Sequence, residues 1–194
     1  MGAAKHNRAG LPVLGRSGSG ATGGAAARRR GCAASDQATI SAAAASRRGK
    51  EFADRENYAE ALRFYRIAAD QGDAHAQVGI GNFYAQGKGT AQDYGAALRW
   101  YRLAADQGDA EAQDNVGFFY LSGWGVAQDY AEALHWLRKA ADQDNEVAQR
   151  NLGMMYLQGL GVPQDKAEAI GWFRKAAARG DEDAQAALQF LEAR

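Results

Sequence analysis

The sequence predicts an all-α fold, a solenoid of stacked helix-turn-helix units. Three observations carry this reading. The segments "AQVGIGNFYAQGKGTAQDYGAALRWYRLAADQGD" (76–109), "AQDNVGFFYLSGWGVAQDYAEALHWLRKAADQDN" (112–145) and "AQRNLGMMYLQGLGVPQDKAEAIGWFRKAAARGD" (148–181) fall into register at a spacing of 36 residues. Apolar residues recur within each segment at helical spacing. Glycines and Asp or Asn residues punctuate each segment at the same points. A period of this size marks units that cannot bury an apolar face alone and bury it against their neighbours.

The elements follow in order. Residues 39–73 form a first helix pair whose stretch "GKEFADRENYAEALRFYRIAADQGD" has a shorter turn and no Gly-x-Gly loop. Residues 74–181 hold the three full units. In the middle one, Ala112, Val116, Phe119 and Tyr120 form one apolar stripe, which predicts a helix to about Ser122. A second helix starts after Asp129, with Tyr130, Ala133, Leu134, Leu137, Ala140 and Ala141 on one face. Asp129 with Glu132, Asp165 with Glu168 and Asn57 with Glu60 read as capping boxes, with Ala96 breaking the pattern in the second unit. Gly72, Gly108 and Gly180 stop the second helices; Asp144 takes that place in the third unit and is expected to loosen the turn. Gly81, Gly117 and Gly153 lie inside first helices, where glycine costs about 1 kcal/mol relative to alanine, so a neighbouring helix should approach there. Residues 182–194 read as a capping helix with Ala184, Leu188 and Leu191 facing inward.

Residues 1–38 differ in kind: a basic Gly/Ala/Ser/Arg-rich tail with almost nothing to bury, expected to be disordered. The first fifty residues carry nine Lys/Arg against Asp36 alone, so +8 and −8 face each other across a chain of zero net charge. The Arg-rich, acid-poor start fits an organelle transit peptide in composition, whereas a solvated tail and a cytoplasmic location are favoured. Whether the tail is retained in the mature protein stays open. A single cysteine, Cys32, excludes an intramolecular disulfide. No run of about 18 apolar residues spans a membrane.

The residues with chemical potential are largely architectural. Gly123 and Gly125 recur as Gly87/Gly89 and Gly159/Gly161 after a helix, not after the strand a phosphate loop needs. Trp136 recurs as Trp100 and Trp172 and reads as packing. His135 does not recur, and with His6 and His75 it forms no ligand or triad spacing. Arg66, Arg102, Arg138 and Arg174 form a ladder on the second helices, read as a solvated or internally paired face because the domain is acidic. No cofactor, metal or catalytic residue is expected, and nucleic acid is disfavoured as a partner.

"LGMMYLQGLGVPQDKAEAIGWFRKAAARGD" (Leu152 to Asp181) closely resembles the Sel-1-like repeat. The shared pattern is Leu-Gly, a Tyr, a Gly-x-Gly loop ending in Val, an Asp, then Ala, Trp-aromatic and Lys-Ala-Ala. The likeness covers all three units. Departures are Ile80-Gly81, Val116-Gly117, Thr90 for Val and Leu137 for the aromatic. In the first pair, Gly49, Phe52, Ala61, Tyr65 and Ala68 resemble the related tetratricopeptide repeat instead. The resemblance implies a right-handed α-solenoid, non-catalytic, that holds a partner protein on the concave surface lined by the first helix of each unit.

Positions that vary between units on those helices are free for recognition. They form three stripes: His75, Val78, Asn82 and Gln86; Glu111, Asp114, Asn115, Phe118 and Ser122; Val147, Arg150, Asn151, Met154 and Gln158. Asn82, Glu111, Asp114, Asn115, Phe118, Arg150, Asn151 and Met154 are the partner-binding candidates. Asn115 and Asn151 match the place where tetratricopeptide-like grooves often bind a peptide backbone, and Phe118 and Met154 would be apolar anchors or simply core. Trp124 and Leu160 form a second candidate at the rim. The expected function is a protein–protein interaction module, with a groove-based hydrolase or small-ligand activity as the alternative. A domain of about four units could also be one half of a homodimer.

Overall fold

The computed structural model describes residues 40–193, so the basic segment 1–38 lies outside it. Among the described residues there are nine helices and no strand. They are α1 (Ala42–Asp54), α2 (Tyr58–Ala69), α3 (Ala74–Gln86), α4 (Tyr94–Ala105), α5 (Ala110–Ser122), α6 (Tyr130–Ala141), α7 (Glu146–Gln158), α8 (Lys166–Ala178) and α9 (Glu182–Glu192). Successive helices pack in pairs, α1 on α2 through α7 on α8, and each pair stacks on the next. First helices of neighbouring units, such as α5 and α7, also touch directly.

Every helix starts on a Ser, Asn or Asp whose side chain accepts a backbone N–H of the first turn; Asp73, Asp93, Asp109 and Asn145 do so at 2.8 Å. Each such cap contributes about 1 kcal/mol. The expected reciprocal half of the capping boxes is absent. Glu132 and Glu168 accept instead from the indole Nε1 of Trp136 (3.2 Å) and Trp172 (3.0 Å), four residues on. The reason lies in the neighbouring helix. The backbone N–H groups of Asp129 and Asp165 already donate to Tyr120 and Tyr156 carbonyls, at 3.0 and 2.9 Å. With the cap N–H satisfied, the glutamate serves the tryptophan.

The glycines inside first helices sit under a side chain of the paired second helix. A Cβ on Gly117 would stand 2.7 Å from Leu137 Cγ and 3.1 Å from Leu137 N; Gly81 meets Tyr101, Gly153 meets Phe173 and Gly49 meets Tyr65 in the same way. Close approach is thus bought at each pair by one missing methyl, and fully buried alanines such as Ala61, Ala97, Ala133 and Ala169 complete the seam.

One ladder ties each unit to the next, and a second closes units internally. Arg66, Arg102 and Arg138 donate to the hydroxyls of Tyr84 (3.0 Å), Tyr120 (2.8 Å) and Tyr156 (2.7 Å). Arg174 reaches Glu192 Oε1 at 2.7 Å, where the next unit would carry its tyrosine. The arginine row is therefore internally paired. Within units, an amide bond joins the start of the first helix to the end of the second: Gln107 donates to Gln77 Oε1 and Gln143 to Gln113 Oε1, both at 2.8 Å. The third rung is missing, because position 179 holds Arg, which pairs with Asp144 and leaves the buried Oε1 of Gln149 without a partner.

Asp144 adopts the left-handed conformation of the glycines it replaces, with φ 67°. The expected loosening is not seen. Asp144 N and Asn145 N bond to Ala141 O and Ala140 O at 3.0 and 3.2 Å, the lengths found at the Gly108 turn. At the other end, Ala184 is buried and Leu188 and Leu191 pack with Phe173 and Ala176, so α9 covers the last pair.

Candidate partner-binding groove

A cavity of about 250 Å³ opens between helices α5 and α7. Asp114, Asn115 and Phe118 from α5 and Val147, Arg150 and Asn151 from α7 line it. Five of the eight candidate residues thus meet in one place. Of the other three, Glu111 is exposed one turn from Asp114, and Met154 is 37% exposed. Asn82 lies elsewhere: its Oδ1 accepts from the Tyr101 hydroxyl at 2.6 Å, a phenol whose pKa burial raises. Val78, in the first stripe, is not free at all but 2% exposed in the core.

Asp114 is the unusual group. It is 8% exposed, and its one hydrogen bond comes from Asn151 Nδ2 to Oδ1 at 3.0 Å. Burial pushes the carboxyl up to about 6; the Asn151 bond and Arg150 oppose this, and Glu111 and Glu146 add to it. Arg150 does not neutralise it. That guanidinium is held by Asp181 at 3.1 Å and by Asp183, which anchors α7 to α9. Asn115 makes no side-chain hydrogen bond among the described residues, so its donor and acceptor both remain for a ligand, whereas Asn151 has committed one N–H.

Phe118 is half-buried and sits edge-on to Trp124 with ring centroids 5.2 Å apart. Trp124, 41% exposed, stacks on Tyr94 at 4.9 Å. The loop can lie this low because Gly125 has φ 67° and a Cβ there would come within 2.5 Å of Gly95 N. The rim candidate and the groove candidate are therefore one continuous aromatic surface. Its signal in the sequence is Trp124 standing where Lys88 and Leu160 stand in the other loops. In the Phe118 register, Met154 follows on α7 and Phe190, 58% exposed, on α9.

A larger recess, about 500 Å³, lies among Asp144, Gln149, Lys175, Ala178 and Arg179 at the missing amide rung. It was missed in the sequence, although two paired departures, Asp144 for Gly and Arg179 for Gln, mark it. His135 is exposed on α6 beside Trp136. Among the described residues, no group of three His, Cys, Asp or Glu could hold a metal ion, and no helix is long and apolar enough to cross a membrane.

Stacked helical hairpins with a lined inner face define an α-solenoid repeat protein. The Sel1 repeat pattern matches residues 42–73, 74–109, 110–145 and 147–181, and the chain belongs to that family. The match takes in the first pair, 42–73, for which the sequence predicts a likeness to the tetratricopeptide repeat instead. A Sel1 repeat protein from Oxalobacter formigenes is similar at 34% identity and a TM-score of 0.72 over 76% of this chain and 60% of that one. A protective antigen present in uropathogenic Escherichia coli strains, displaying an SLR fold, is similar at 33% identity and a TM-score of 0.71 over 80% of this chain. This chain spans only 34% of that antigen. Helicobacter pylori cysteine rich protein B shares the fold at 22% identity, a TM-score of 0.53, 66% of this chain and 92% of that one. No curated protein matches.

Proposed function

We propose that the chain is a non-catalytic interaction module that holds a segment of a partner protein, or a peptide, along the inner face of its first helices. Sel1 repeat folds generally serve as protein–protein interaction scaffolds. The observation that carries the reading is the convergence of Asp114, Asn115, Phe118, Arg150 and Asn151 on one cavity. Apart from Asn115 and Asn151, which share one register position, these residues differ from unit to unit, whereas the residues that build the stack repeat. A free amide supplies donor and acceptor to an extended backbone, and half-buried Phe118 beside Trp124 supplies the aromatic contact that dominates interface energetics. The cavity lies below the range of about 300–1,000 Å³ usual for small-molecule sites, which favours a side chain of a larger partner over a cofactor. A hydrolytic alternative would need a second titratable group in the cavity with Asp114; Glu111 and Glu146 act on Asp114 without lining the cavity, which supplies amides, an occupied guanidinium and apolar groups.

The test is a photo-cross-linking residue placed at position 118 and, as control, at Leu103, which is 50% exposed on α4. A partner captured from 118 and not from 103 supports the groove. Equal capture from both, or capture from 103 alone, overturns it.

A further inference from the structure

The Asp114 carboxylate has no ion-paired cation; Arg150 lines the same cavity and acts on it only from a distance. Among the described residues no Lys, Arg or His forms an ion pair with it, since Arg150 is taken by Asp181 and Asp183. Its second oxygen, Oδ2, accepts no hydrogen bond. Gln149 Oε1, and not this oxygen, is the fully buried acceptor without a partner, so Oδ2 stays reachable; a carboxylate this poorly hydrated gains from a cation that pairs with it. The surroundings sharpen this. Glu111 and Glu146 bear on the same carboxylate, so the floor of the groove stays acidic even with Arg150 present. The rest of the cavity wall is Phe118, Val147, Asn115, Asn151 and Arg150, the last with its guanidinium held by Asp181 and Asp183.

From this juxtaposition we infer that the cavity between α5 and α7 receives a long basic side chain, arginine or lysine, from the bound partner. The inference rests on the groove reading above and deepens it. The aliphatic stem lies against Phe118 and Val147, as long basic side chains commonly cover apolar surface. The cationic head reaches Asp114 Oδ2 and Asn115 Oδ1, two acceptors for which a guanidinium fork is the better match. The Phe118 ring faces the same space and favours a cation over a neutral head. The partner is therefore an extended segment with one essential basic residue among otherwise apolar or neutral ones.

The experiment selects random dodecapeptides on phage against the full chain at neutral pH, then measures the selected peptides by fluorescence anisotropy. The expected result is Arg or Lys at one fixed position. Replacing that residue by norleucine, or Asp114 by Asn, should each weaken binding about tenfold or more, the scale of a charge-assisted hydrogen bond. The two losses should not add, because each removes the same contact. Asp114→Asn keeps the acceptor for Asn151, and circular dichroism reports whether helicity is retained; Asn115→Ala provides an independent variant. Selected peptides with no basic position, or losses that add fully, overturn the inference and leave the groove standing. Peptides that bind a Phe118→Ala/Asn151→Ala variant as tightly as the wild type, or no enrichment at all, overturn the groove reading and this one with it.

Discussion

Asn151 on α7 donates its side-chain amide to the Asp114 carboxylate on α5 at 3.0 Å, across 37 residues of sequence. One bond thus links two units at the floor of the groove. It also fixes what each residue can still offer a partner: Asn151 keeps its carbonyl, and Asp114 keeps one bare oxygen.

Asp114 makes stability depend on pH in an unusual direction. Its carboxyl rises from 3.8 to about 6, facing Arg150 and Glu146 from α7 and Glu111 from its own helix. The native state therefore holds this proton more tightly than the unfolded chain. The group's contribution is full below pH 4 and is lost as the pH rises through 6. Asp114→Asn is expected to be more stable than wild type at pH 8, by up to about 3 kcal/mol, with the gap closing towards pH 4. Urea unfolding of both proteins at pH 4, 6 and 8 measures it; a gap independent of pH contradicts the assignment.

Gly117 tests the helix-pair seam. Alanine gains about 1 kcal/mol of helix propensity over glycine. Here its Cβ would stand 2.7 Å from Leu137 Cγ and 3.1 Å from backbone Leu137 N, and backbone cannot swing away. Overpacking of this kind costs about 1–3 kcal/mol. Gly117→Ala should therefore lower the thermal midpoint. Gly171 on α8, with open space around it, should tolerate alanine with a neutral or raised midpoint.

The missing amide rung is a repairable defect. Arg179→Gln with Asp144→Gly recreates the arrangement of Gln143 and Gly108 and gives Gln149 Oε1 its donor. An unsatisfied buried acceptor costs about 1–3 kcal/mol, and the half-exposed Asp144–Arg179 pair is worth about 0–1 kcal/mol. The double variant should gain about 1–2 kcal/mol in chemical denaturation. A loss would mean that the recess is occupied in solution.

Much of the architecture was legible because it repeats: Ala112, Val116, Phe119 and Tyr120 read as one stripe and are buried together. What was not legible lies between helices. The Arg138–Tyr156 bond joins two rows that each looked independent. Glu132 was read as half of a capping box because the spacing allows it. Only the packed neighbour shows that the cap N–H is already taken and that the carboxylate serves Trp136. In the groove, variation picked out α5 and α7 residues that line one cavity, yet it could not separate Asn82, held by Tyr101, from Asn115, whose side chain makes no hydrogen bond among the described residues.

The most direct measurement changes Phe118 and Asn151 together to alanine and records partner or selected-peptide binding alongside circular dichroism. Binding reduced about tenfold or more with helical content intact is the result expected of residues that face a partner. Helicity lost together with binding would place both residues in the scaffold, and undiminished binding would move the partner to another surface.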